Sequence, residues 1–180
     1  MLSQVLDLNR IDSVRFFDHL YNFFERDFVA NRTYLATKIY IDPQCNRKED
    51  GKEQAFWHLT SRKQKYQQKK GKRYETVIDR LPDFRRSERI EWVKQIIDNH
   101  DNSSVKCFYH KETTGSKPIR FYLWAYQENF VVILQKLGRS RSFLVTSFYI
   151  DKVSKRRTYQ KRFDEYTTGK RLELLGCEWF

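Results

Sequence analysis

Residues 119–137, with the sequence IRFYLWAYQENFVVILQKL, are the clearest indication of the fold of this chain. Runs rich in β-branched and aromatic residues lie at both ends of the stretch and flank a short polar segment at 127–129, a pattern typical of a β-hairpin. Comparable runs, VKCFYHK at 105–111 and SFLVTSFYI at 142–150, lie on either side and are joined to it by short turn-like segments. The four runs therefore predict an antiparallel meander.

Helices are predicted before and after this meander. Apolar side chains recur at the helical period in residues 12–30, which predicts an amphipathic helix. Residues 82–98 show a similar apolar stripe, and Pro82 or Asp83 stands where the start of a helix favours such residues. A basic helix is expected at about 152–166, where lysines and arginines lie among aromatic residues.

The length of 180 residues is typical of one domain. A further strand is predicted at 33–42, because this segment is rich in β-branched and aromatic residues. We therefore expect a single α+β domain over residues 1–180, in which the N-terminal helices pack on one face of an antiparallel four- to five-stranded sheet. Its core would span about 12–166, with residues 167–180 as a C-terminal tail.

The chain has an excess of positive charge, with 35 lysines and arginines against 23 aspartates and glutamates, or a formal charge of +12. Such an excess favours a polyanionic partner, of which nucleic acid is the commonest, although a basic surface that is merely solvated has the same composition. The most basic run is KQKYQQKKGKR at 63–73, which contains no acid. It is interpreted as a mobile surface loop that is either solvated or in contact with phosphate.

Several functional classes are not expected. The chain has no apolar run long enough to cross a membrane and no pattern of a secretory signal, so no membrane partner is predicted. Cys45, Cys107 and Cys177 are odd in number and form no CxxC pair, which is typical of a cytoplasmic protein without a disulfide framework. The common nucleotide, dinucleotide, hydrolase and zinc-protease motifs do not occur, and the histidines lack metal-ligand spacing, so neither a cofactor nor a metal is predicted.

The side chains of the strand at 119–126 alternate between two faces. One face is apolar, and the other presents Arg120, Tyr122 and Trp124. A cation among aromatic rings suits a nucleic-acid surface, because bases stack on rings and phosphates pair with cations. The alternative is a second, partly exposed packing layer, and the sequence leaves both interpretations open.

Three clusters contain side chains that can act on a phosphodiester. His58 lies among hydrogen-bonding and cationic neighbours, and a histidine can transfer a proton at neutral pH. Arg85 and Arg89 are neighbours at helical spacing, with Arg86 farther round the axis, and an arginine fork can hold a phosphate. Thr146 places a hydroxyl in an otherwise apolar strand, where it must find a partner. The structural alternatives are a core histidine, a salt-bridged helix face and an ordinary strand threonine.

The order of these clusters resembles a known group. FWHLTSR at 56–62, RLPDFRRSERIEW at 80–92 and FLVTSFYI at 143–150, followed by the basic run KRRTYQKRF, are similar to motifs of small phage- and mobile-element-associated proteins. These proteins are grouped with the barnase–EndoU–colicin–RelE-like ribonuclease superfamily. Their pattern is H-x-T-x-R, then R-x-x-R-I at a helix start, then a late strand LLTAYY before a basic run. Ser147 stands where that strand has alanine.

The resemblance implies a fold like that of this superfamily and a small, toxin-like endoribonuclease that cleaves RNA without a metal or cofactor. The 2′-hydroxyl would attack its own phosphodiester and leave a 2′,3′-cyclic phosphate. His58 would transfer a proton, Arg86 would hold the phosphate, and Thr146 would donate a hydrogen bond to it or position the base. RNA is the implied partner, together with an acidic antitoxin or immunity protein. The implied substrate-binding residues are Arg62, Arg85, Arg89, Arg120, Tyr122, Trp124, Ser147, Arg156 and Arg157.

Two other functions remain open at this point. A non-catalytic nucleic-acid-binding protein on the same fold would keep the positive charge and the aromatic face but would not need His58. A phage or mobile-element accessory protein that binds another protein could have the same scaffold without acting on RNA.

Overall fold

A six-stranded sheet forms the centre of the molecule. The computed structural model describes residues 2–71, 73–113, 115–116 and 118–179. Its strands are β1 (Tyr34–Leu35), β2 (Ile39–Asp42), β7 (Val105–Lys111), β8 (Ile119–Ala125), β9 (Phe130–Leu137) and β10 (Arg141–Tyr149). They follow the spatial order β1-β2-β10-β9-β8-β7. The last four form the antiparallel meander that the sequence predicts.

The α+β class is confirmed, but the prediction of an antiparallel sheet with four to five strands is wrong. The segment at 33–42 forms two short strands rather than one, because Ala36 and Thr37 adopt positive φ angles of 50° and 58° and turn the chain back on itself. The second of these strands, β2, pairs in parallel with β10, with Tyr40 opposite Arg141. A parallel pair joins segments that are distant in sequence, so no local turn signals it.

Two smaller sheets lie outside the central one. Strands β3 (Lys48–Glu49) and β4 (Lys52–Glu53) form a short hairpin. Strands β5 (Ser61–Lys70) and β6 (Arg73–Pro82) pair over their whole length and form a long exposed hairpin. The mobile loop predicted at 63–73 is therefore wrong for the residues that the structure describes, which exclude Lys72. Strand β6 contains Thr76, Val77 and Ile78, which favour extended structure and give the basic strand a partner.

The predicted helices are present with altered bounds. The helices are α1 (Phe16–Phe24), which continues as a π-helix over Glu25–Ala30, α2 (Gln54–Thr60), α3 (Phe84–Ser87), α4 (Ile90–Asp98) and α5 (Val153–Thr167). The helix predicted at 82–98 is divided, because Arg89 has φ −116° and ψ 21° and leaves the helical conformation. Asp83 caps α3 as expected, with its carboxylate accepting a bond from the backbone N–H of Arg86.

The sheet is covered on both faces. Helices α1, α2 and α4 pack on one face, with Leu20, Phe56 and Ile96 fully buried against it. This arrangement confirms the prediction that the N-terminal helices cover one face. Helix α5 covers the other face and buries Tyr159 against Phe108 and its neighbours. The aromatic face of β8 is therefore a second packing layer, one of the two interpretations that the sequence left open.

The core extends beyond residues 12–166. Leu174 lies in a 3₁₀ turn (Leu172–Leu174) and is buried with Cys177 against the first face of the sheet. The indole Nε1 of Trp179 donates a hydrogen bond to the carbonyl of Gly138 at 3.0 Å. Leu8 at the other end of the chain is buried in the same cluster. Among the described residues, no helix has the length and apolar character that crossing a bilayer would need.

Candidate active site

Three elements bring the predicted catalytic residues together. His58 lies in the last turn of α2, Arg86 in α3 and Thr146 in β10. Between Leu144 and Thr146 the pairing of β10 with β9 shifts by one residue, which leaves Val145 as a β-bulge. Bulges redirect neighbouring side chains and free backbone groups from the ladder. Here the bulge turns the carbonyl of Val145 and the hydroxyl of Thr146 toward α2.

The carbonyl oxygen of His58 is the point at which these elements meet. Arg86 Nη1 donates to it at 2.9 Å, and Thr146 Oγ1 donates to it at 2.9 Å. The two donors are 3.4 Å apart. The last carbonyls of a helix have no partner within the helix, so Arg86 and Thr146 also complete the end of α2. The structure therefore brings together the three residues that the resemblance implied. The hydrogen bonds that join them run to the backbone carbonyl of His58 and stabilise the fold.

The imidazole of His58 has a defined orientation. Its Nδ1 lies 3.2 Å from the carbonyl oxygen of Val145. A carbonyl can only accept, so this bond requires the proton on Nδ1 and leaves the lone pair on Nε2. Burial lowers the pKa of His58, the bond to Val145 opposes this, and the charges of Arg80, Lys63 and Arg86 lower the pKa further. The ring is therefore neutral at pH 7, and Nε2 has no hydrogen-bond partner within the described residues.

Arg86 is held by a buried carboxylate. Its Nε lies 2.9 Å from Oδ2 of Asp83, and Arg62 donates from its own Nε to the same oxygen. Burial lowers the pKa of Arg86, whereas Asp83 raises it, and an arginine remains a cation at neutral pH. Arg62 is largely exposed and Arg86 is half-buried, so one carboxylate orients two guanidinium groups at different depths.

An open groove of about 740 Å³ lies beside these arginines, at the base of the β5–β6 hairpin. Its lining includes Arg62, Lys63, Lys65, Asp83, Arg85 and Asp151. Four of these six residues are cations, and Asp83 is already paired with arginine. The groove thus has the charge and the open shape that a phosphodiester chain requires.

Helix α5 supplies a cation that sequence reasoning missed. Burial lowers the pKa of Lys155; Asp151 opposes this shift, and the charges of Arg86 and Arg62 add to it. Its Nζ lies 4.1 Å from the centre of the Phe148 ring. The sequence contained only a basic run here, and the position of one lysine beside α3 depends on how α5 packs.

Arg80 is the second missed residue. Its guanidinium lies 5.0 Å from the centre of the Trp57 ring and forms a bidentate ion pair with Glu49. Strand β6 brings it opposite Lys63 on β5. The only available signal was the hairpin itself, which the sequence analysis did not predict.

Two further arginines, one in α3 and one between α3 and α4, lie at the edge of the site. The guanidinium groups of Arg85 and Arg89 lie 5.0 and 4.9 Å from the centre of the Tyr149 ring. Arg89 also pairs with Glu88, as the salt-bridged alternative predicted, whereas Arg85 is exposed and lines the groove.

The aromatic residues predicted to bind substrate are not accessible. Trp124 is 1% exposed and packs beside Tyr159 of α5, and Tyr122 stacks on Phe108 with ring centres 4.9 Å apart. The expectation that these rings face a nucleic acid is therefore wrong, because α5 occupies the position that bases would take. Ser147 is fully buried as well, so the structure does not allow it to contact a substrate.

The remaining predicted contacts lie away from His58. Arg120 is half-buried, and its Nη1 lies 3.8 Å from Glu112. Arg156 donates to the side-chain oxygen of Asn129 at 2.8 Å, and Arg157 is exposed on α5, where it lines a different surface groove. None of these three residues lines the groove beside Arg86.

Comparisons with known proteins add no constraint to this geometry. Protein-family models, curated proteins and solved structures each returned no match to the chain. In the described ranges, no three His, Cys, Asp or Glu side chains are grouped so as to hold a metal ion.

Proposed function

We propose that this chain is a small cytoplasmic endoribonuclease that cleaves RNA without a metal, on a fold like that of the barnase–EndoU–colicin–RelE-like superfamily. The observation that carries the proposal is the orientation of His58. Its protonated Nδ1 is held by the Val145 carbonyl, its Nε2 carries a free lone pair, and Arg86 lies close by. A neutral imidazole beside a fixed guanidinium supplies the base and the cation that metal-free phosphodiester cleavage uses.

The proposed reaction uses the RNA's own 2′-hydroxyl as nucleophile. Nε2 of His58 takes the proton of the 2′-hydroxyl as the O2′–P bond forms and the P–O5′ bond breaks. The departing 5′-oxygen takes up a proton from water, and His58 afterwards releases its proton to the solvent. The products are a 2′,3′-cyclic phosphate and a 5′-hydroxyl. Arg86, Arg62 and Lys155 offset the negative charge that grows on the phosphate oxygens. Because the nucleophile is already next to the phosphorus, holding the strand in place supplies much of the catalysis.

A second candidate is a nucleic-acid-binding protein that does not cleave. It is favoured by the bonds that Arg86 and Thr146 make to the His58 carbonyl, because these bonds stabilise the end of α2 without any substrate. The groove and the positive charge would serve binding equally well. A toxin-like role, with an acidic antitoxin or immunity protein as partner, belongs only to the first candidate.

The test is cleavage of end-labelled RNA in the presence of EDTA. Wild type, His58→Ala and His19→Ala are compared, because His19 lies on α1 outside the groove and controls for the loss of any histidine. We expect cyclic-phosphate ends from wild type and His19→Ala but not from His58→Ala, with all three proteins folded by circular dichroism. Complete inhibition by EDTA would refute the metal-free mechanism. Tight RNA binding by folded wild type without cleavage would establish the second candidate.

A further inference from the structure

The β5–β6 hairpin projects from the domain as a two-stranded arm. Its strands pair from Ser61 opposite Pro82 to Lys70 opposite Arg73. Beyond Ser61 the strand β5 is exposed along its whole length. Ten residues of extended strand span about 30 Å, so the arm reaches well past the groove. A two-stranded hairpin is only marginally stable in water, so this arm depends for its stability on the contacts at its base, where it joins the domain.

The two faces of this arm differ in charge. Side chains alternate along a strand, and residues paired across the hairpin lie on the same face. The face that we call the basic face has four cations and no acid: Lys63, Lys65, Lys69 and Arg80. The opposite face, which we call the mixed face, has three cations and two acids: Arg62, Lys70, Arg73, Glu75 and Asp79.

Ion pairing increases this difference. On the mixed face, Lys70 lies 3.4 Å from Glu75, and Tyr66 donates to Asp79 at 2.9 Å. On the basic face, Lys65 and Lys69 have no carboxylate partner among the described residues. Only the inner end of the basic face meets an acid, where Glu49 pairs with Arg80 and lies 3.7 Å from Lys63.

The basic face also exposes apolar surface. Tyr74 is 68% exposed and Ile78 is 52% exposed, and neither belongs to a buried cluster. Tyr74 lies directly opposite Lys69. An exposed ring beside unpaired lysines is the combination with which proteins bind single strands, because bases stack on the ring while phosphates pair with the cations.

The basic face leads to the candidate site. Arg80 at its inner end lies over Trp57, the neighbour of His58, and its Nη1 is 3.3 Å from Ser61 Oγ. Lys63 on the same face also lines the groove. The charges of Arg80 and Lys63 also act on His58 and lower its pKa, so a strand bound along the basic face would approach the candidate site.

We propose that the basic face of the β5–β6 hairpin binds single-stranded RNA, with Lys65 and Lys69 on phosphates and Tyr74 against a base. That the bound strand is delivered to His58 rests on the function proposed above. The binding itself does not depend on cleavage.

The test compares two double variants that remove the same charge from opposite faces. Lys65→Gln with Lys69→Gln alters the basic face, and Lys70→Gln with Arg73→Gln alters the mixed face. Binding of a fluorescent, unstructured RNA is measured by anisotropy over a salt series, with His58→Ala in each protein to prevent cleavage. Each neutralised phosphate of a single strand contributes about 0.7 to the slope of log K against log salt, so the basic-face pair should lower the slope by about 1.4.

We expect the basic-face pair to raise Kd about tenfold at low salt and the mixed-face pair to change it much less. Tyr74→Ala should raise Kd about fivefold or more, since stacking contributes roughly 1–3 kcal/mol per base, whereas Tyr66→Ala on the mixed face should not. Equal losses from both double variants would overturn the proposal, since net charge alone would then explain binding. Competition by polyglutamate as strong as that by RNA would also overturn it and indicate an acidic protein.

Cleavage assays separate this proposal from the proposed function. In proteins with His58 intact, Lys69→Gln with Tyr74→Ala should slow cleavage of long RNA and leave cleavage of a dinucleotide unchanged, because neither residue lines the groove beside Arg86. Unaltered cleavage of long RNA would refute the role of the hairpin in RNA binding and leave the proposed nuclease activity intact. If the wild type cleaves no RNA but the basic-face variant loses RNA binding, the nuclease activity is refuted and the role of the hairpin in binding stands.

Discussion

Replacing Arg86 with lysine tests whether the guanidinium fork, rather than its charge, supports the site. The side chain is 19% exposed and makes two contacts in different directions. Nη1 donates to the His58 carbonyl at 2.9 Å, and Nε lies 2.9 Å from Asp83 Oδ2. A lysine ammonium is a single point of charge and reaches only one of these two acceptors.

The structure determines the size of the expected effect. One charge-assisted hydrogen bond is lost, which costs about 1.5–3 kcal/mol in free energy of unfolding. Asp83 keeps Arg62 as a partner, so the larger penalty of about 3–5 kcal/mol for an unpaired buried charge does not apply. If Arg86 stabilises the transition state, Arg86→Lys should also slow RNA cleavage by about 100-fold or more, as removal of one oxyanion donor does.

Urea unfolding followed by tryptophan fluorescence and cleavage of labelled RNA measure the two effects. Arg85→Lys is the matched control, because Arg85 is exposed and its substitution should change stability by less than about 0.5 kcal/mol. Wild-type stability together with wild-type turnover for Arg86→Lys would show that the guanidinium fork contributes neither to the fold nor to cleavage. Reduced stability with normal turnover would leave Arg86 as the cap of α2 and nothing more.

Four further outcomes follow from burial and protonation. The rate of RNA cleavage should fall on acidification with a midpoint below pH 6.5, because burial lowers the pKa of His58 and the neutral form is the base; a midpoint at or above 6.5 would contradict this. Burial lowers the pKa of His110 from 6.5 to about 4, so the unfolded chain binds a proton that the folded chain resists. Its contribution to stability is complete above about pH 6.5 and is lost as the pH falls toward 4, and His110→Asn should flatten that part of the urea-midpoint profile. Trp124→Ala should lower the free energy of unfolding by about 3–5 kcal/mol, and an unchanged urea midpoint would show that α5 does not cover this face. Leu174→Ala should lower it by about 2 kcal/mol or more, whereas a tail outside the core would tolerate the change.

The local pattern of the chain predicted most elements of the fold. Strand periods at 105–150 and helical periods near 12–30 and 82–98 agree with the structure, as does the cap at Asp83. These features depend on the alternation of side chains and on the first hydrogen bonds of a helix, which neighbouring residues decide. The family resemblance implied a common site for His58 and Arg86, and Arg86 donates a hydrogen bond to the His58 carbonyl.

Contacts between segments that are distant in the sequence could not be predicted from local patterns. The parallel pairing of β2 with β10, the bulge at Val145 and the approach of Lys155 have no local signal. The basic run in β5 has the composition of a loop, but β6 pairs with it and makes it a strand. Arg80 lies over the Trp57 ring only because of this pairing.

The aromatic face of β8 illustrates the difference most clearly. From the sequence, Tyr122 and Trp124 share a face, and this is correct. Whether that face meets bases or a helix depends on which surface buries more apolar area, and α5 buries it with Tyr159 and Phe163. The period of the strand therefore determined which side chains share a face of the sheet. Only the packing of the whole chain determined what they touch, because burial is a property of the complete fold and not of any one segment.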